Sequence, residues 1–270
     1  MSAEFEEISS LQLEFQWLLN EEVNLILYQL QQLISECSKR FFDQESKRPL
    51  VKTEKIAFNS INPSHQERLK ASASLTGDDI THAEITVRLP KHSSNSLKFT
   101  IIGDCVWKLN QIQDASNHLM AAMSLLTAPP MRFDEQESKF NFQSAEEVIQ
   151  VIDDIMGCLK RGRNSLVVPK TKTIEELRNS RNMKTLQPSV PNDLAISFYV
   201  QSHKLVCAVY HQIKDQVGNV KLDIFQAEAS IPWLSEALVL FTVALQFCQQ
   251  LKDKVSVFSQ YKEMQVRMRP

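Results

Sequence analysis

Between Ile231 and Phe258 the chain reads IPWLSEALVLFTVALQFCQQLKDKVSVF, apolar nearly all round over its first half. Ser230 can cap a helix here, Pro232 suits a first turn because its missing N–H needs no partner, and Glu236 favours the positive end of the macrodipole. Leu234, Leu238, Phe241, Leu245 and Cys248 follow 4-3-4-3 spacing, with Val255 seven beyond Cys248. That is a heptad seam. Val239, Leu240, Val243 and Phe247 lie off it, so the helix needs cover on more than one side. These four are the candidate partner-contact residues. Cover from elsewhere in the chain is favoured over cover by a partner, because isolated soluble proteins rarely show such patches. Glu236 and Pro232 cut the apolar run too short to span a bilayer, so a central core helix is expected.

Residues 10–41 carry a second seam at Leu19, Val23, Ile26, Leu30, Leu33 and Cys37, widened by Leu27 and Ile34. Such a seam suits an intermolecular coiled coil or one helix of an intramolecular bundle. After Phe42 the composition turns polar, and the period then changes to two. Leu69, Ala71, Ala73 and Leu75 alternate with polar residues, as do Ile85, Val87 and Leu89, then Leu97, Phe99 and Ile101. These predict half-buried strands, with a further edge strand over Lys55 to Ile61.

Helical spacing returns with Ile112, Ala115, Leu119, Ala122 and Leu126, ended by Pro129-Pro130. It resumes with Ala145, Val148, Ile152, Ile155 and Leu159 behind a capping box at Ser144 and Glu147, and Gly162 is expected to close that helix. A weaker helix near Thr173 to Asn182 falls in a basic linker. Strands follow at Leu194 to Val200, Leu205 to Tyr210 and Val220 to Phe225. Four seams can satisfy one another within one chain. The expected fold is therefore α+β: an antiparallel four-helix bundle built from both chain ends, with the strand blocks joined as one antiparallel sheet lobe. The expected helical domain takes 10–42, 104–162 and 230–262; the β domain takes 50–103 and 190–229; 163–190 is the linker.

Lys and Arg total 30 against 32 Asp and Glu, which leaves no bulk charge to draw the chain to nucleic acid or anionic lipid. Five cysteines without metal-ligand spacing point to reduced thiols in a cytosolic protein. MSAEFEEISS has no apolar signal core, so secretion is not expected. With five glycines in 270 residues, glycine-rich phosphate loops are not expected.

The six histidines are scattered, and the Asp114–His118 spacing suits a structural hydrogen bond better than a catalytic dyad. Asp153-Asp154 and Asp78-Asp79 read as helix surface and turn chemistry rather than metal carboxylates. The basic run Lys160 to Lys184 lacks the aromatics that base stacking needs and reads as a solvated linker, with an acidic-partner or phospholipid contact as the competing reading. Trp17, Trp107 and Trp233, near the starts of three seam helices, are expected in the core. No catalytic, cofactor-binding or metal residue is expected, and no cofactor.

Three stretches carry a resemblance: IPWLSEALVLFTVALQFCQQLKDKVSVF; Trp107-Lys108-Leu109-Asn110-Gln111-Ile112-Gln113-Asp114-Ala115 with Asn117-His118; and Glu14-Phe15-Gln16-Trp17-Leu18-Leu19. The chain resembles the Rogdi family of leucine-zipper-like proteins. The resemblance implies an elongated fold with a helical and a β lobe. It also implies a non-enzymatic adaptor similar to the small subunit of RAVE and rabconnectin assemblies, which promote V-ATPase assembly. The implied partners are a large WD-repeat scaffold and peripheral V-ATPase subunits, not nucleic acid. The implied location is the cytoplasm, with recruitment through partners to endolysosomal or synaptic-vesicle membranes and a nuclear or nuclear-envelope pool. The seams suggest a monomer when alone. The competing function is a homodimeric leucine-zipper regulator in the nucleus, against which stands the lack of a basic region before Leu19.

Overall fold

The computed structural model describes residues 2–43, 48–49, 53–61, 68–89, 95–101, 105–127, 133–134, 139–214 and 220–267. His65, His92 and the Pro129-Pro130 stop lie outside these residues. In chain order the elements begin with α1 (Ser2–Trp17), a π-helical turn (Leu18–Glu22) and α2 (Val23–Ser38). Next come β1 (Phe42–Asp43), β2 (Arg48–Pro49), β3 (Thr53–Ala57), β4 (Asn59–Ser60), β5 (Leu69–Thr76), β6 (Asp79–Arg88), β7 (Ser96–Ile101) and β8 (Trp107–Lys108). They continue with α3 (Asn110–Thr127), β9 (Phe133–Asp134), β10 (Lys139–Phe140), α4 (Ala145–Val167) and α5 (Ile174–Arg178). A 3-10 turn (Asn182–Thr185) precedes β11 (Leu186–Gln187), β12 (Leu194–Gln201), β13 (Lys204–Lys214), β14 (Val220–Ser230) and α6 (Pro232–Arg267). The fold class is α+β with antiparallel sheets, as the periodicity predicts. The helix count differs from the expected four: six α-helices stand among the described residues.

Two compact units divide the chain. The first takes Met1–Ser38, Asn117–Arg163 and Val239–Pro270; the second takes Lys39–Ser116 and Asn164–Leu238.

In the first unit α2 buries Val23, Leu27, Leu30, Ile34 and Cys37. The expected seam positions Ile26 and Leu33 are only half-buried. The preceding π-helical turn accommodates one extra residue and buries the neighbours Leu18 and Leu19 together, which offsets the stripe. On α4 the predicted Ala145, Val148, Ile152, Ile155 and Leu159 are all buried. At its start Glu147 N–H donates to Ser144 Oγ at 3.3 Å, while Glu147 Oε2 accepts from Gln143 N–H at 2.9 Å. The helix does not close at Gly162 but runs to Val167. Gly162 is there because the Phe241 ring lies over it, not because the chain must turn.

In the second unit, beside the two-stranded β1-β2 pair, the strands form two larger sheets, not the single sheet expected. One runs β11-β7-β6-β5-β3 with β8 paired to β6; the other runs β12-β13-β14-β4. The strand predicted over Lys55 to Ile61 breaks at Phe58: β3 pairs with β5, whereas β4 pairs with β14. Phe58 and Trp107 both pack on Phe198 of β12, with centroids at 5.9 and 5.3 Å, so the two sheets share an apolar contact. β13 buries Leu205 through Val209 without a break, so it is covered on both faces.

The supposed linker belongs to this unit. Thr173 and Glu176 make a capping box for α5, Leu177, Met183 and Leu186 are buried, and β11 pairs with β7. Its many exposed lysines and arginines hid those three apolar anchors. Gln111 at the start of α3 is fastened to the same unit: its Nε2 donates to Val200 O at 2.8 Å and Ser165 O at 3.0 Å, and its Oε1 accepts from Val200 N–H at 2.8 Å.

Candidate partner surface

α6 buries Leu234, Ala237, Phe241, Ala244, Cys248, Leu251 and Val255, a 3-4 repeat with none more than 2% exposed. The expected seam residues Leu238 and Leu245 are half-buried instead. Two of these seven buried positions are alanines, Ala237 and Ala244. Of the four candidate contact residues, Val239 is 58% exposed, whereas Leu240, Val243 and Phe247 are half-buried. Pro232–Ser259 is long and apolar enough to cross a membrane by length and composition, contrary to the expectation that Pro232 and Glu236 cut it short. Farther along, Lys252 Nζ pairs with Asp153 at 2.6 Å and Lys254 pairs with Glu22.

The larger apolar exposure is at the other end of the chain. Leu13 and Trp17, four apart on α1, are 65% and 59% exposed; Leu25 and Tyr28, three apart on α2, are 57% and 60% exposed. Each pair shares a helix face. Trp17 is thus not the core residue expected of it. Trp107 is buried, and Trp233 is half-buried with its ring edge-to-face with Phe41 at 5.4 Å. The missed signal was spacing: Leu13 and Trp17 pair with each other at i,i+4 but fall off the Leu19–Val23 seam.

The titratable groups singled out from sequence do structural work. Asp114 takes Lys170 Nζ at 2.9 Å, not His118. Asp78 and Asp79 both face Lys108, and the hydrogen bond that Lys108 Nζ donates to Asp79 is the chief cause of its raised pKa. Asp154 accepts from Gln150 while Asp153 holds Lys252. Among the described residues no group of three or more His, Cys, Asp or Glu could hold a metal ion. The cysteines are free thiols; four are buried and Cys105 is exposed.

Comparison with known proteins gives the arrangement a lineage. Residues 14–218 match the family model described as Rogdi leucine zipper containing protein. The chain is 45% identical to Protein rogdi of Drosophila melanogaster over 98% of its own length and 95% of the relative's. It is 34% identical to Protein rogdi homolog of Homo sapiens over 97% and 96%. With Protein rogdi homolog of Caenorhabditis elegans it shares 27% identity over 70% and 67%.

Proposed function

Because this chain belongs to the Rogdi family, we propose that it is a non-enzymatic adaptor of a RAVE- or rabconnectin-type complex. In this reading it joins a large WD-repeat scaffold to peripheral V-ATPase subunits and promotes acidification of organelles or synaptic vesicles. It works from the cytoplasm and meets membranes through its partners. Its helical unit acts as a four-helix bundle drawn from both chain ends, a reading supported by the segments that make up the first unit.

The observation that carries the proposal is the pair of exposed apolar faces, Leu13 with Trp17 and Leu25 with Tyr28. Large apolar and aromatic side chains are the usual anchors of protein interfaces. These four are exposed in the single chain, so changing them should spare the fold. Trp17→Glu with Tyr28→Glu should keep the native melt, lose capture of the scaffold and slow organelle re-acidification. Leu240→Glu with Phe247→Glu tests the C-terminal candidates in the same assay. Two folded double variants that both capture the scaffold and restore acidification like the parent would overturn this docking scheme.

The same exposed faces also suit self-pairing, which is the zipper reading. Sedimentation separates the two: a dimer mass that holds on dilution favours the homodimer, and a monomer favours the adaptor.

A further inference from the structure

The sheet β12-β13-β14-β4 closes one of its edges and leaves part of the other open. Along β12 the outward backbone groups are taken one by one: Val200 N–H and O by Gln111, Ile196 N–H by Met183 Sδ at 3.4 Å, and Leu194 O by Arg178. On the far side β4 covers only the end of β14, pairing with Ala227 and Glu228, and Ile61 N–H donates to Gln226 O at 3.2 Å. Among the described residues no strand pairs with that side of β14 from Val220 to Phe225.

In an antiparallel ladder the outward N–H and C=O belong to every second residue. Gln226 O points outward, and the β13–β14 register runs without a shift. Val220, Leu222 and Ile224 therefore also present their backbone groups to the open edge. Their side chains share one face and are 39–58% exposed, whereas Phe225, Ala227 and Ala229 are buried on the other. Lys221 and Asp223 lie on that second face, 3.7 Å apart, with the lysine exposed. An exposed apolar edge with unpaired backbone groups is a template for a further strand.

Charge decides which strand fits. The added strand needs a cation opposite Asp223 and, two residues away, an anion opposite Lys221. Read antiparallel, with apolar residues between, that is apolar-Lys-apolar-Asp-apolar. Residues 220–224, Val-Lys-Leu-Asp-Ile, have this sequence themselves. With Leu222 opposite Leu222 of a second copy, Val220 meets Ile224 and Lys221 meets Asp223 across a two-fold axis. The leucines then form a hydrogen-bonded pair, and the charges fall at the intervening pairs, where opposed side chains come closest.

We infer that two copies of this chain join through the open edge of β14, antiparallel and centred on Leu222, to make one continuous sheet. So short a contact is small against the roughly 1,200–2,000 Å² of stable interfaces. The dimer therefore forms as concentration rises and parts on dilution, which separates it from a zipper dimer on the helical faces. Scaffold capture by those faces can fail or persist independently.

Sedimentation equilibrium of the full chain, from micromolar to submillimolar concentration, should show a reversible monomer–dimer equilibrium. Leu222→Lys should weaken it roughly tenfold, as should Leu222→Pro, which removes an outward N–H and no bond to β13. Thermal melts check that both variants stay folded. Lys221→Asp and Asp223→Lys should each weaken pairing alone, because like charges then stand opposite each other. An equal mixture of the two, or both changes in one chain, should restore it. A monomer throughout the range, a dimer indifferent to Leu222→Lys, or a double charge change that fails to restore pairing overturns the inference. If acetyl-Thr-Val-Thr-Val-Thr-amide disperses the dimer as well as acetyl-Val-Lys-Leu-Asp-Ile-amide does, the edge accepts any extended segment and the choice of a second copy is overturned.

Discussion

Gly162 lies directly beneath the ring of Phe241: a Cβ at position 162 would stand 2.9 Å from Cε1 and 3.0 Å from Cζ. On its other side it would meet the His118 Cβ at 3.3 Å. The Phe241 ring is fully buried and cannot swing away into solvent. An alanine in a helix interior ordinarily gains about 1 kcal/mol over glycine. Here the overlap costs about 1–3 kcal/mol, so the packing term outweighs propensity.

Gly162→Ala should therefore lower stability in urea melts, and Phe241→Leu in the same chain should recover part of the loss. Gly157, on the same helix, is the control. Its Cβ would meet only the Arg161 guanidinium at 3.4 Å, an ordinary van der Waals contact. Gly157→Ala should be neutral or stabilising by up to about 1 kcal/mol. Equal effects at the two positions would refute the close-packing account.

Gln111 offers a second test. Its amide satisfies Val200 N–H, Val200 O and Ser165 O at once. Gln111→Leu leaves these partly buried groups unpaired, at about 1–3 kcal/mol each where water cannot reach. Gln111→Glu keeps the acceptor but turns a carboxylate towards two carbonyl oxygens, so it should be no better. Chemical denaturation of both variants measures this; a leucine variant as stable as the parent would make the contacts incidental.

How much of this was legible depends on how narrow each apolar stripe is. On α3 and α4 polar residues border the stripe, and every predicted core position is buried. On α6 nearly every face is apolar, so periodicity could not choose Ala237 and Ala244 over Leu238 and Leu245. The larger leucines drew the reading, although the buried line runs through the alanines. Nothing local announced the π-helical turn at Leu18–Glu22 that offsets the N-terminal stripe. The strands were legible from alternation, but which strands pair, β3 with β5 and β4 with β14 across the break at Phe58, is a long-range fact.

Burial pushes the Cys248 thiol up to about 12, against a smaller opposite pull from Lys160. A thiol in the unfolded chain titrates near 8.5. Above that pH the unfolded state has released a proton that the native state keeps, so stability falls as pH rises towards 12. The slope is about 1.4 kcal/mol per pH unit for each such thiol. Burial shifts Cys207 in the same direction. Cys248→Ala should reduce the slope of unfolding free energy against pH by about one proton's worth in the alkaline range. An unchanged slope would show that the thiol is accessible to ionisation in the native state.

The shifted seam of α6 gives a sharp comparison between two leucines. Leu251 is fully buried on the stripe, whereas Leu245, which the leucine spacing placed on the seam, is half-buried. An aspartate at 251 would place a carboxylate among apolar neighbours with no partner, and the group would have to neutralise or pull the helix open. The cost is several kcal/mol, from lost burial of about 1.5–3 kcal/mol and from desolvation on top. At 245 the carboxylate can turn towards water, so only part of the apolar burial is lost. Leu251→Asp should therefore abolish the cooperative thermal transition or lower it far more than Leu245→Asp does. Thermal melts of the two full-length variants decide it. If Leu245→Asp proves equally damaging, the buried line of α6 runs through the leucines after all, and Ala237 and Ala244 lose their place on it.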